Sequence, residues 1–192
     1  MSTPTNLNII EMVGVSPSEA VALTLNRTLV LTGGVWTLLP ASPLSGHYTM
    51  AASALDNIYT VQNNPVSGSR MRRWNGTAWT IVPDPPITGA AFAMLALSNA
   101  LLLSTTSNEN FRLQNGSWTP LAVPSSGAGI TNESIYSMTS CGGERYAGTT
   151  GGRVYRLDGD TWTVIATYGQ AAIASGVVRV HCSPSGVLRA MG

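Results

Sequence analysis

The chain has 192 residues, 44% of them hydrophobic and only 10% charged, with a net charge of +1. That length accommodates one domain with a sizeable core, and the hydrophobic share excludes a disordered chain. The near-neutral charge, with no basic cluster beyond Arg70, Arg72 and Arg73, excludes a nucleic-acid binder that works by electrostatic footprint.

All ten cations are arginine, and Gly, Ser, Thr and Asn replace the missing charge. Such a hydroxyl- and amide-rich surface suits secreted, cell-surface or virion proteins. The opening "MSTPTNLNII" lacks the basic and apolar regions of a signal peptide, so a soluble chain without a Sec route is expected. Asn26, Asn75, Asn115 and Asn132 head N-x-S/T sequons, read here as turn chemistry.

In chain order, "IEM" (10–12) is followed by "LTGGVWT" (31–37), then "YTM" (48–50) by "WNGTAWT" (74–80). Next come "FAM" (92–94) with "LQNGSWT" (113–119), and "YSM" (136–138) with "LDGDTWT" (157–163). The run "GAAFAMLALSNALLL", broken by Ser98 and Asn99, is too short to span a bilayer, so no membrane insertion is expected. The C-terminal "VRVHCSPSGVLRAMG" matches "EMVGVSPSEAVALTL" through Ser183-Pro184-Ser185 and Ser16-Pro17-Ser18. Two interleaved signals with one period near 44 residues establish an internal repeat.

Within each repeat, short period-two runs alternate with tight turns, and no helical pattern persists. Four antiparallel strands in about 40 residues are the signature of a β-propeller blade. The expected fold is an all-β propeller, one domain over 1–192. Its four complete blades lie at about 9–40, 46–83, 90–124 and 133–167, with a partial fifth at 176–192.

Asp158-Gly159-Asp160 could be read as a metal loop. Its equivalents are Gly33-Gly34, Asn75-Gly76 and Asn115-Gly116, which share turn chemistry but carry no carboxylate, so it is read as a hairpin corner. The unfinished fifth blade leaves a sheet edge to be completed by Thr3 to Ile9 or by another chain. Cys141 and Cys182 fall at equivalent places on neighbouring blades and are expected as buried free thiols, a disulfide being the alternative.

The stretch Gly152 to Thr163, "GxVYRxDGxTWT", resembles the blade repeat of a broad group of β-propellers. That group includes kelch-like and tectonin-like proteins and propeller modules of bacteriophage tail and receptor-binding proteins. Asp158-Gly159-x-Thr161-Trp162 is also similar to the sialidase Asp-box, but lacks its spacer and upstream Ser/Thr. The resemblance covers residues 10–192 and implies architecture, not a substrate.

Trp36, Trp79, Trp118 and Trp162 recur in equivalent places and are read as core, as are the Tyr/Phe-x-Met stripes. Arg73, Arg112 and Arg156 each precede the apolar residue of a third strand and are read as binding carbonyls of an adjacent blade. Trp74 replaces a leucine of the other repeats, and with Arg70, Arg72 and Arg73 forms the candidate binding set, able to stack on a sugar or grip an acidic partner. His47 and His181 lack a third ligand for zinc, and the nine acidic residues show no marked pair for glycoside hydrolysis.

No catalytic residue, metal or cofactor is therefore expected. The expected function is a non-catalytic structural or binding module, a bacteriophage virion component in a tail fibre, tail tip or capsid decoration. It would be a homo-oligomer meeting other virion proteins or a host-surface glycan or protein. The alternatives are a free lectin-like propeller, extracellular or cytoplasmic, and, less favoured, a glycoside hydrolase.

Overall fold

A computed structural model of the chain describes residues 8–42, 47–62, 71–124, 133–168, 176, 178–183 and 185–192, without the side chains of 47 and 48. Arg70, Asn132, the His47 side chain and residues 3–7 lie outside the described residues. The described chain is all-β. The first sheet is a meander of β1 (Ile9–Ser16), β2 (Glu19–Thr24), β3 (Thr28–Thr32) and β4 (Val35–Leu38). The second holds β5 (His47–Ala54), β6 (Asn57–Gln62), β7 (Met71–Trp74) and β8 (Trp79–Ile81). The third holds β9 (Ala91–Ala96), β10 (Ala100–Thr105), β11 (Asn110–Gln114) and β12 (Ser117–Pro120). The fourth holds β13 (Ile135–Cys141), β14 (Glu144–Thr149), β15 (Arg153–Asp158) and β16 (Thr161–Thr167). A fifth sheet has two strands, β17 (Arg179–Cys182) and β18 (Leu188–Met191). These are the blades of a β-propeller, four complete and one partial.

The second strand of the first three sheets explains the most apolar sequence runs. β2 from Ala20 onward, β6 through Val61 and all of β10 are buried on both faces. A strand covered on both sides has no reason to alternate, so "ALLL" reads as a continuous apolar run. The interrupted segment Ser98-Asn99 is the turn between β9 and β10.

The corners follow from backbone chemistry. Gly33 and Gly34 (φ 57° and 80°) close the β3–β4 hairpin between the paired Thr32 and Val35. Asn115 and Gly116 (φ 51° and 77°) do the same in the third sheet. Positive φ at both central residues is what one of the two favoured two-residue hairpin turns requires, the other needing it only at the first, and Gly and Asn supply it at least cost. In the fourth sheet Asp158 pairs with Thr161, so the two-residue loop is Gly159-Asp160, with Gly159 at φ 62°. The corner reading holds, but Asp158 is the last strand residue, not part of the turn pair.

A threonine closes the second strand in three sheets. Thr24, Thr105 and Thr149 are buried, and their hydroxyls accept the amides of Arg27, Glu109 and Arg153 at 2.9, 3.1 and 3.3 Å. Each hydroxyl satisfies a backbone donor at the turn into the third strand.

The chain divides into two compact units. One comprises Met1–Pro86, Ala96–Leu101 and Gln114–Ser117, the other Ile87–Leu95, Leu102–Leu113 and Trp118–Gly192. In the first unit, Val21, Leu23, Met50, Ile58 and Trp74 form the core between the first two sheets. In the second, Val154, Val178 and Val180 pack the fourth sheet against the fifth.

Cys141 and Cys182 form a disulfide, which corrects the expectation of free thiols. They end β13 and β17, and their Cα atoms are 5.2 Å apart, within bridging distance. Equivalent positions on neighbouring innermost strands are close here because β17 lies directly against β13. The Ser137 hydroxyl accepts the Val180 amide at 2.9 Å, and the Val178 amide donates to the Thr149 carbonyl at 3.0 Å. Any side chain at Gly148 would collide with the Val178 carbonyl.

Candidate functional site

Of the four residues singled out from sequence, the three that are described, Arg72, Arg73 and Trp74, stand on β7. Arg70 lies outside the described residues. Arg72 is half-buried on β7 and donates to the Met71 carbonyl at 3.0 Å. Arg73 Nε donates to Asn57 Oδ1 at 2.8 Å, and its guanidinium stands 5.7 Å over the Tyr59 ring. Asn57 in turn donates to the Leu97 carbonyl at 3.2 Å, so Arg73 steadies a link to the next sheet through an amide. Trp74 is 5% exposed, inside the core, with its ring tilted 55° against Trp79 at 5.7 Å.

Trp74 nevertheless lines a cleft. Between the facing sides of the first two sheets lies an open cavity of about 590 Å³, floored by Val15, Val30, Leu39, Leu55 and Trp74. Two carboxylates, Glu19 and Asp56, belong to its lining. Glu19 stands at the start of β2 and accepts a hydrogen bond from the Ser16 hydroxyl at 3.1 Å. Asp56 is exposed in the turn between β5 and β6. The volume is that of a small-ligand or side-chain pocket. Sequence reasoning missed this cleft because its walls come from different repeats, and nothing local marks which valines face outward.

The corner aspartates are occupied. Arg156 Nε donates to Asp158 Oδ1 at 2.8 Å, and the guanidinium holds the Asp158 carboxyl below the usual range. Arg112 reaches from the third sheet to the fourth, donating to the Gly159 carbonyl at 2.7 Å and pairing with Asp160 at 2.6 Å. Of the three recurrent arginines, Arg112 thus binds an adjacent blade's carbonyl, as its position foretold. Arg73 and Arg156 bind side chains of their own sheets instead.

Other carboxylates are also used internally. Glu11 on β1 accepts from the Met50 amide at 2.7 Å and the Thr49 hydroxyl at 3.0 Å on β5, while burial pushes its carboxyl up against those bonds. Burial raises the Glu109 carboxyl as well. Donors from Thr88, Gly89 and Thr105 outweigh that and leave it below the ordinary value. Glu133 is buried, pairs with Arg153 and accepts from the Thr149 and Tyr155 hydroxyls. Burial also raises the Tyr155 phenol, against the pull of Arg153.

Among the described residues no three His, Cys, Asp or Glu side chains gather as a metal site, and no helix is long and apolar enough to cross a membrane. Trp162 is fully in the core, whereas Trp36, Trp79 and Trp118 are half-buried, with Trp79 donating to the Pro40 carbonyl at 2.8 Å. Phe92 meets Tyr136 edge-on at 5.0 Å, and Arg179 stacks over Tyr136 at 5.1 Å while donating to its hydroxyl.

No family model matches the chain, and no curated protein does. Solved structures do. The extracellular domain of BT4673 from B. thetaiotaomicron is similar over 98% of this chain and 27% of its own, with a TM-score of 0.65 and 14% identity. YCF48 from Cyanidioschyzon merolae is similar over 94% of this chain and 61% of its own, at 0.59 and 17%. YCF48 bound to D1 peptide is similar over 98% and 63%, at 0.62 and 16%. The chain spans about a quarter of the first and less than two thirds of the other two. At these identities the likeness shows a shared fold, the β-propeller, and nothing narrower.

Proposed function

We propose that the chain is a non-catalytic β-propeller module that binds a protein partner. The observation that carries this reading is the cleft between the first two sheets. It is apolar-floored and open, while Glu11, Glu109, Glu133, Asp158 and Asp160 are engaged by amides, hydroxyls or arginines. Propeller scaffolds lend themselves to such use, and one structural neighbour is a propeller bound to a peptide. That fact belongs to the neighbour, and it reaches this chain only by analogy of fold.

The narrower assignment is a bacteriophage virion component that meets other virion proteins or the host surface. Low charge, the absence of lysine and the disulfide support it, since disulfides persist in secreted proteins and on virion and cell surfaces. The kelch-like and tectonin-like resemblance rests on blade corners alone and adds no ligand.

The test is to probe a peptide array and a glycan array side by side with the labelled chain. Retention on peptides and not on glycans is expected. Retention on glycans alone would overturn the reading in favour of a lectin.

A further inference from the structure

We infer that the cleft between the first two sheets takes a peptide segment in which a large apolar side chain stands next to an arginine or lysine. This rests on the protein-binding reading and names the partner's chemistry. The floor of Val15, Val30, Leu39, Leu55 and Trp74 offers hydrocarbon and an aromatic face but little to hydrogen-bond. An apolar side chain entering it exchanges water contact for packing. Its volume of about 590 Å³ holds a leucine- to tryptophan-sized group with room for adjoining backbone.

The charge of the lining decides the second half of the motif. Asp158 and Asp160 are paired with arginines, Glu133 is paired with Arg153, and Glu11 and Glu109 accept backbone amides. Glu19 and Asp56 both line this cleft, and among the described residues neither has a cation within ion-pair distance. Two uncompensated carboxylates beside an apolar floor repel an acidic segment and attract a cationic one. An arginine suits the place better than a lysine, since its planar fork can bond a carboxylate through two parallel hydrogen bonds.

The test uses the blocked peptide Gly-Ser-Leu-Arg-Ser-Gly, with counterparts carrying Ala for Leu or Glu for Arg, titrated against the whole chain and followed by tryptophan fluorescence. The Leu–Arg peptide is expected to bind saturably and to weaken as salt rises. Each counterpart, and the double variant Glu19→Gln with Asp56→Asn, is expected to lower the affinity about tenfold, roughly 1.4 kcal/mol. Both variant sites are surface carboxylates, and an unchanged circular dichroism spectrum certifies the fold.

Absence of binding, or binding indifferent to the double variant, overturns the assignment. If the array peptides are still retained in that case, only the cleft assignment falls. If no peptide is retained, the protein-binding reading falls with it. Should the double variant instead lower the solution mass of the chain on its own, the occupant is a second copy, which also overturns the proposal.

Discussion

Glu109 shows how a single side chain substitutes for regular structure. It sits just before β11, yet its oxygens collect the amides of Thr88 and Gly89 and the hydroxyls of Thr88 and Thr105. In the next sheet the equivalent place after the closing threonine is Arg153, which pairs with Glu133. One position, with opposite charge, ties the turn into the third strand to the chain preceding the sheet. Because the folded Glu109 pKa lies below the ordinary 4.5, its stabilisation is present above that pH and is lost as pH falls through the folded value. Glu11 has the opposite sign, its carboxyl being raised by burial, so total stability blends both. The difference between wild type and Glu109→Gln isolates the first. That difference should be largest at neutral pH and shrink below about pH 4.5 in urea denaturation series. A gap that stayed constant or widened on acidification would contradict the role.

At the scale of elements, the two-stranded fifth sheet is the informative case. A lone pair of strands is marginal in water, so β17–β18 must borrow its stability. The Ser137 hydroxyl, the Thr149 carbonyl, the Arg179–Tyr136 stack and the Val154–Val178–Val180 cluster supply it, and the disulfide makes the attachment covalent. A cross-link spanning 41 residues contributes about 4 kcal/mol in the chain-entropy treatment. Cys182→Ser should therefore lower Tm by about 10 °C. Reductant should raise amide exchange in β17–β18 before it does so in β1–β4. Exchange in β17–β18 unchanged by reduction would contradict the attachment.

The sheets themselves were legible in the sequence because each repeat encodes its own corner. A glycine or asparagine at positive φ, followed by Trp-Thr, is a local signal. Partners 40 or more residues away carry no such mark. The cysteine bridge, the Glu11 bond to β5 and the cleft all depend on which neighbours the repeats bring together. Trp74 illustrates the limit: its replacement of a leucine was visible, but whether it joined the arginines or the core depended on Val21 and Ile58.

Over the whole of the described chain, charged groups such as Glu11 and Arg112 join sheets, while the apolar cleft between the first two sheets, lined by two carboxylates with no cation partner among the described residues, is left to meet a partner. Hydrogen exchange of the chain, with and without a peptide retained on the array, tests this most directly. Protection concentrated in the β1–β2 and β5–β6 turns and around Trp74 is the expected result. Protection confined to β13–β18, with those turns unchanged, would place the binding surface elsewhere and contradict the account.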